Sequence, residues 1–139
     1  MCLPAGVALG DPGPEETARR DVELLDGWKD GATAVIGWSW GGWDALELAA
    51  RHADVVERLV LVATPRPDDA VDWLDGVVAK TLLLYGSADP ATGSSHARWW
   101  QQRLATARLE MSPGGGHDLL VPLWPRILSF VAPRAGRGA

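Results

Sequence analysis

Val35-Ile-Gly-Trp-Ser-Trp-Gly-Gly42 is the stretch from which the fold is read. An apolar, β-favouring run at 32–36 leads into it and a helix-compatible run at 43–52 leaves it, so Gly-x-Ser-x-Gly falls on a strand-to-helix turn. Such a turn is tight enough that a side chain at Gly37 or Gly41 would collide with neighbouring backbone. It would raise Ser39 above the end of its strand, and the following helix would point its unpaired N–H groups and partial positive charge at the same place.

In a chain with 16 glycines that spacing alone is a weak signal, so the downstream sequence decides its meaning. Lys80-Thr-Leu-Leu-Leu-Tyr-Gly-Ser-Ala-Asp-Pro90 is a buried-strand pattern that stops at Gly86 and delivers Asp89 just beyond. A short strand at 107–111 is followed by Ser112-Pro-Gly-Gly-Gly116 and then His117. Each residue also has a plain structural reading. Ser39 fits an ordinary glycine turn, Asp89 before Pro90 fits a turn start, and His117 fits an incidental polar position in a loop. Three in order, each just past a strand, favour a catalytic reading. Asp68 and Asp69 after the preceding strand, and Asp118 beside the histidine, are alternative acids. His52 and His96 receive no role.

The order Ser39, Asp89, His117 resembles that of the α/β-hydrolases, and the resemblance runs over residues 7–132. Arg58-Leu-Val-Leu-Val-Ala-Thr-Pro65 is similar to that family's next strand after the serine-bearing turn. Gly37 to Gly42 is similar to the elbow of cap-bearing carboxylesterases such as the pimeloyl-acyl-carrier methyl esterases, and tryptophan after the serine resembles the proline iminopeptidases. The resemblance implies Ser39 as nucleophile, His117 as general base, Asp89 as the acid that orients the imidazole, and the Trp40 N–H as an oxyanion donor. Gly-x-x-Asp-Pro after the penultimate strand matches the commoner family position of the acid. Trp38 and Trp40 would wall the substrate pocket, with Trp43 beside them. The implied activity is cleavage of a carboxylic ester or thioester of a small acyl group, with no metal or organic cofactor.

Two departures qualify that expectation. Residues 63–81, where many relatives insert a helical cap, form only a short Pro- and Asp-rich segment. Residues 6–14 resemble the strand two elements before the elbow strand, which leaves out the family's first three strands and the His-Gly loop that supplies a second oxyanion N–H. This truncated form predicts feeble turnover. The alternative is a non-catalytic remnant that serves as a binding or assembly module.

Composition narrows the class. The 139 residues suffice for one domain, expected at 1–132, with a polar, Gly-rich tail at 133–139 expected to be disordered. A net charge of −5 without a Lys/Arg run argues against a nucleic-acid partner. The single cysteine, Cys2, excludes an internal disulfide and fits a reducing compartment. No apolar run reaches the ~18 residues of a membrane span, so a cytoplasmic protein is expected. Strand patterns at 6–9, 32–36, 59–63, 81–85 and 107–111 alternate with helix patterns at 15–28, 43–52, 95–106 and 123–131. That alternation predicts an α/β fold with a parallel sheet of about five strands and helices on both faces. Of eight tryptophans, Trp28, Trp73, Trp99, Trp100 and Trp124 are assigned to helices and the core. Apolar surface left uncovered by the short sheet predicts a homodimer.

Overall fold

The computed structural model describes residues 6–9, 33–68 and 72–131. The helix expected at 15–28, the turn at 10–14, the tail at 133–139 and Asp69 lie outside the described residues. In chain order the elements are β1 (Gly6–Leu9), β2 (Thr33–Trp38), α1 (Gly41–Arg51), β3 (Val56–Val62), a 3-10 turn (Leu74–Gly76), β4 (Lys80–Gly86), α2 (Gly93–Arg103), β5 (Ala107–Ser112) and α3 (Trp124–Val131).

All five strands are parallel, and they lie in the order β1-β2-β3-β4-β5. Parallel crossovers are right-handed, so a sheet that always grows in one direction carries its connections on one face. The packing follows that rule. Val35, Leu59, Leu61, Leu83 and Tyr85 face a cluster completed by Leu46 and Leu48 of α1, Leu74 of the 3-10 turn and Trp100 of α2. The alternate residues Ile36, Val60, Val62, Leu82 and Leu84 face the other way, against Leu119 and Ile127. α3 follows the last strand and is not a crossover, so it is free to fold over this second face, and Pro125 suits its first turn. Burial on both faces explains why β4 is apolar almost continuously after Lys80.

Element limits differ from the expected ones for physical reasons. β2 runs past Ile36 to Trp38, because Gly37 and Trp38 still pair with Leu61 and Val62. β3 begins at Val56, where exposed Glu57 and half-buried Arg58 at the sheet's rim disguise the strand pattern. Trp73 does not join the core: its segment forms only a single 3-10 turn, and the ring remains 40% exposed. Trp100, by contrast, is buried, with Trp99 edge-on to it.

Candidate active site

Parallel strands of one direction bring all their C-terminal ends to one rim, and that is where open α/β sheets present their functional groups. Ser39 follows β2, Asp89 follows β4 and His117 follows β5, so the three share the rim although 78 residues separate the first from the last.

The serine is held by the elbow's backbone. Ser39 adopts φ +57°, a left-handed conformation uncommon outside glycine, and its N–H donates to the Val62 carbonyl at 2.8 Å. Gly42 N–H then donates to the Ser39 carbonyl at 3.0 Å, starting α1. A Cβ on Gly37 would lie 2.5 Å from the Gly42 Cα, so the turn closes only over a glycine there. Beneath the elbow the chain leaves β3 through Ala63, also at positive φ (+51°). The next carbonyl, that of Thr64, accepts the Tyr85 hydroxyl at 2.5 Å and the Trp100 indole N–H at 3.0 Å. Burial pushes the Tyr85 phenol well above its ordinary pKa, so it stays a neutral donor.

The acid and the histidine are placed together. The loops after β4 and β5 are joined by Ser87 N–H to the Ser112 carbonyl (3.1 Å), Ala88 N–H to the Gly115 carbonyl (2.9 Å) and Gly114 N–H to Ser87 Oγ (2.7 Å). A Cβ on Gly86 would lie 2.5 Å from the Gly116 carbonyl oxygen and closer still to that of Gly115, so this approach requires glycine at the end of β4. His117 Nε2 then lies 3.0 Å from Ser39 Oγ, and Nδ1 lies 2.8 Å from Asp89 Oδ2. Asp89 Oδ1 accepts the Ala91 N–H at 2.8 Å, and Oδ2 also accepts the Thr92 hydroxyl at 2.6 Å. The Asp89 side chain has no exposed surface. Burial by itself would raise its pKa, but the hydrogen bonds from Thr92, His117 and Ala91, with the histidine's charge, hold it below the ordinary carboxylate value.

Of the alternative acids, Asp68 and Asp118 are exposed, and it is Asp89 whose oxygen meets the His117 ring. His96 accepts the Arg66 N–H on Nδ1 at 2.9 Å, a contact that ties α2 to the segment after β3. Burial, then the nearby Arg66 charge, lowers its pKa. The tryptophans divide. Trp38 donates from its indole N–H to the His117 carbonyl at 3.0 Å and lines a cavity of about 510 Å³ with Asp118, Leu120, Val121 and Pro122. Trp40 is 55% exposed and leans edge-on against Trp43, whose indole N–H is used on the Pro65 carbonyl. Sequence reading singles out neither Thr92 nor Ser87, and it takes Gly86 only as the end of its strand. Thr92 carried a faint signal, since a hydroxyl three residues after an aspartate in a turn is well placed to bond it.

The fold and its rim can now be set beside known proteins. No family model matches the chain. A pimeloyl-[acyl-carrier protein] methyl ester esterase of Aromatoleum aromaticum is 38% identical over 96 residues, which cover 58% of this chain and 38% of that relative. Among solved structures, a CIB-like hydrolase of Thermoplasma acidophilum superposes with a TM-score of 0.69 at 22% identity, covering 81% of this chain and 56% of the other. The chain has the α/β-hydrolase fold. A serine hydrolase involved in carbazole degradation shares it at a TM-score of 0.71 and 17% identity, covering 88% of this chain and 74% of that one. The chain thus spans 38% of the length of the curated relative it matches. Among the described residues, no helix is long and apolar enough to cross a membrane.

Proposed function

We propose that this chain is a serine hydrolase that cleaves carboxylic ester or thioester bonds of small acyl substrates. The observation that carries the reading is the unbroken line from Ser39 Oγ through the two ring nitrogens of His117 to Asp89 Oδ2, with contacts of 3.0 and 2.8 Å. Ser39 Oγ attacks the acyl carbon while His117 Nε2 takes its proton. Asp89, kept ionised by its own hydrogen bonds, holds the proton on Nδ1 and stabilises the imidazolium. The tetrahedral oxyanion faces the elbow, where the Trp40 N–H at the start of α1 is the assigned donor. Collapse expels the alcohol or thiol, which leaves with the proton from His117, and water repeats the sequence to free the acid. The same proposal takes a small-molecule ester as partner, a cytoplasmic setting, and self-association through exposed apolar side chains such as Trp73 and Val78. Light scattering on the purified chain tests the last point.

The direct test is labelling of the folded protein by a fluorophosphonate, followed by peptide mapping. Modification is expected at Ser39 and nowhere else, and it should vanish in Ser39→Ala together with hydrolysis of p-nitrophenyl acetate. Labelling that survives Ser39→Ala, or that never occurs, would overturn the reading.

A further inference from the structure

The cavity beside His117 is walled by Trp38, Leu120, Val121 and Pro122, and among the described residues Asp118 is the one charged residue in its lining. Its volume of about 510 Å³ lies in the range of small-molecule sites. Two contacts tie it to the imidazole. The Trp38 indole N–H binds the His117 carbonyl at 3.0 Å, and the two rings stand 5.5 Å apart. Asp118, Leu120, Val121 and Pro122 follow His117 directly in the chain, so most of the lining is continuous with the residue that moves the proton.

Resting on the serine-hydrolase reading, we infer that this cavity receives the leaving-group arm of the ester, and that this arm is an uncharged alkyl or aryl alcohol. The argument is the path of the proton. His117 Nε2 takes it from Ser39 Oγ at 3.0 Å and must next deliver it to the oxygen that departs. That oxygen therefore comes within about 2.6–3.2 Å of Nε2, and the rest of the alcohol extends from it past the imidazole. Beside the imidazole ring, 5.5 Å away, is Trp38, which lines the cavity with residues of the 118–122 loop. The acyl carbon, in contrast, is bonded to Ser39 Oγ with its oxygen at the Trp40 N–H, on the elbow side. In the step itself the Ser39 Oγ–acyl bond forms, the acyl–alkoxy bond breaks, and the alkoxide leaves as the alcohol with the proton from His117. Walls this apolar reward burial of hydrocarbon, and the Asp118 carboxylate opposes an anionic arm.

Hexyl acetate and methyl heptanoate are isomers, so they separate the two arms at equal composition. With each kcat/KM divided by the ester's hydroxide-catalysed rate, hexyl acetate should be favoured by about ten-fold or more, since each methylene fully withdrawn from water is worth up to about four-fold. Val121 is 81% exposed, so Val121→Asp should fold and should bring the ratio toward parity. An acetate ester of 6-hydroxyhexanoic acid should react more slowly than hexyl acetate, and Asp118→Asn should narrow that gap. Equal or faster cleavage of methyl heptanoate, or a ratio untouched by Val121→Asp, overturns the inference while Ser39-dependent hydrolysis of p-nitrophenyl acetate leaves the hydrolase reading standing. Absence of that hydrolysis overturns both.

Discussion

Asp89 shows how one side chain can be both buried and ionised. Three hydrogen bonds, one of them from the partner imidazole, replace the water it loses, and they outweigh the desolvation that would otherwise keep it protonated. Asp89→Asn keeps the shape but removes the charge and favours the wrong histidine tautomer. We expect kcat to fall about 10³–10⁴-fold in that variant, against less than about three-fold for Asp68→Asn, in ester-hydrolysis assays. If Asp68→Asn proved the more damaging, the acid would be wrongly assigned.

The loops that carry Asp89 and His117 are joined by backbone contacts and by Ser87 Oγ as well as by the contact between those two side chains. The loop after β4 and the loop after β5 lie against each other only because Gly86 has no Cβ. Gly86→Ala should therefore push the His117 loop from its place. The expected outcome is loss of most activity with a stability cost of about 1–3 kcal/mol, read from urea unfolding. A full-rate variant would show that the loop has another seat. α3 is anchored differently: Arg126 makes a two-pronged contact with Glu110 of β5, at 2.8 and 2.5 Å. Both side chains are about one-third exposed, so solvent screening limits the pair. Glu110→Gln should cost no more than about 1 kcal/mol and leave ester hydrolysis near its original rate.

The protein's response to acid follows from the same groups. Asp89 and Glu110 both have folded pKa values below their ordinary ones. For Asp89, burial opposes that shift and the hydrogen bonds of Thr92, His117 and Ala91 overcome it; for Glu110 the Arg126 hydrogen bonds are the leading cause. Between the folded and unfolded values the unfolded chain binds more protons, so stability rises with pH there. The contribution is full above the unfolded carboxylate values of about 3.9–4.3 and is lost as pH falls through the lower folded ones. Urea unfolding at pH 7 and near pH 3 should therefore show lower stability at the acid pH, and Asp89→Asn should shrink the difference. An unchanged difference would mean that the Asp89 network does not survive in solution.

Much of this was legible in the one-dimensional chain. Period and punctuation are local properties, so runs such as Leu82 to Tyr85 announced strands, and Gly86 and the Ser112 to Gly116 stretch announced where they stop, whereas β2 ran past Gly37 to Trp38. The same reading singled out Ser39, Asp89 and His117 as candidates, and it expected the five parallel strands with helices on both faces that the structure has. Tertiary structure decided what depends on distance between remote segments. It placed the Asp89 carboxylate 2.8 Å from the His117 imidazole and left Asp68 and Asp118 exposed. It turned Trp43 and Trp100 into hydrogen-bond donors to the Pro65 and Thr64 carbonyls, left Trp40 and Trp73 on the surface, and used Gly86 for a contact with a loop some 30 residues away. None of these leaves a periodic trace, because a contact between two chain segments constrains their separation in space and imposes no pattern on either segment alone.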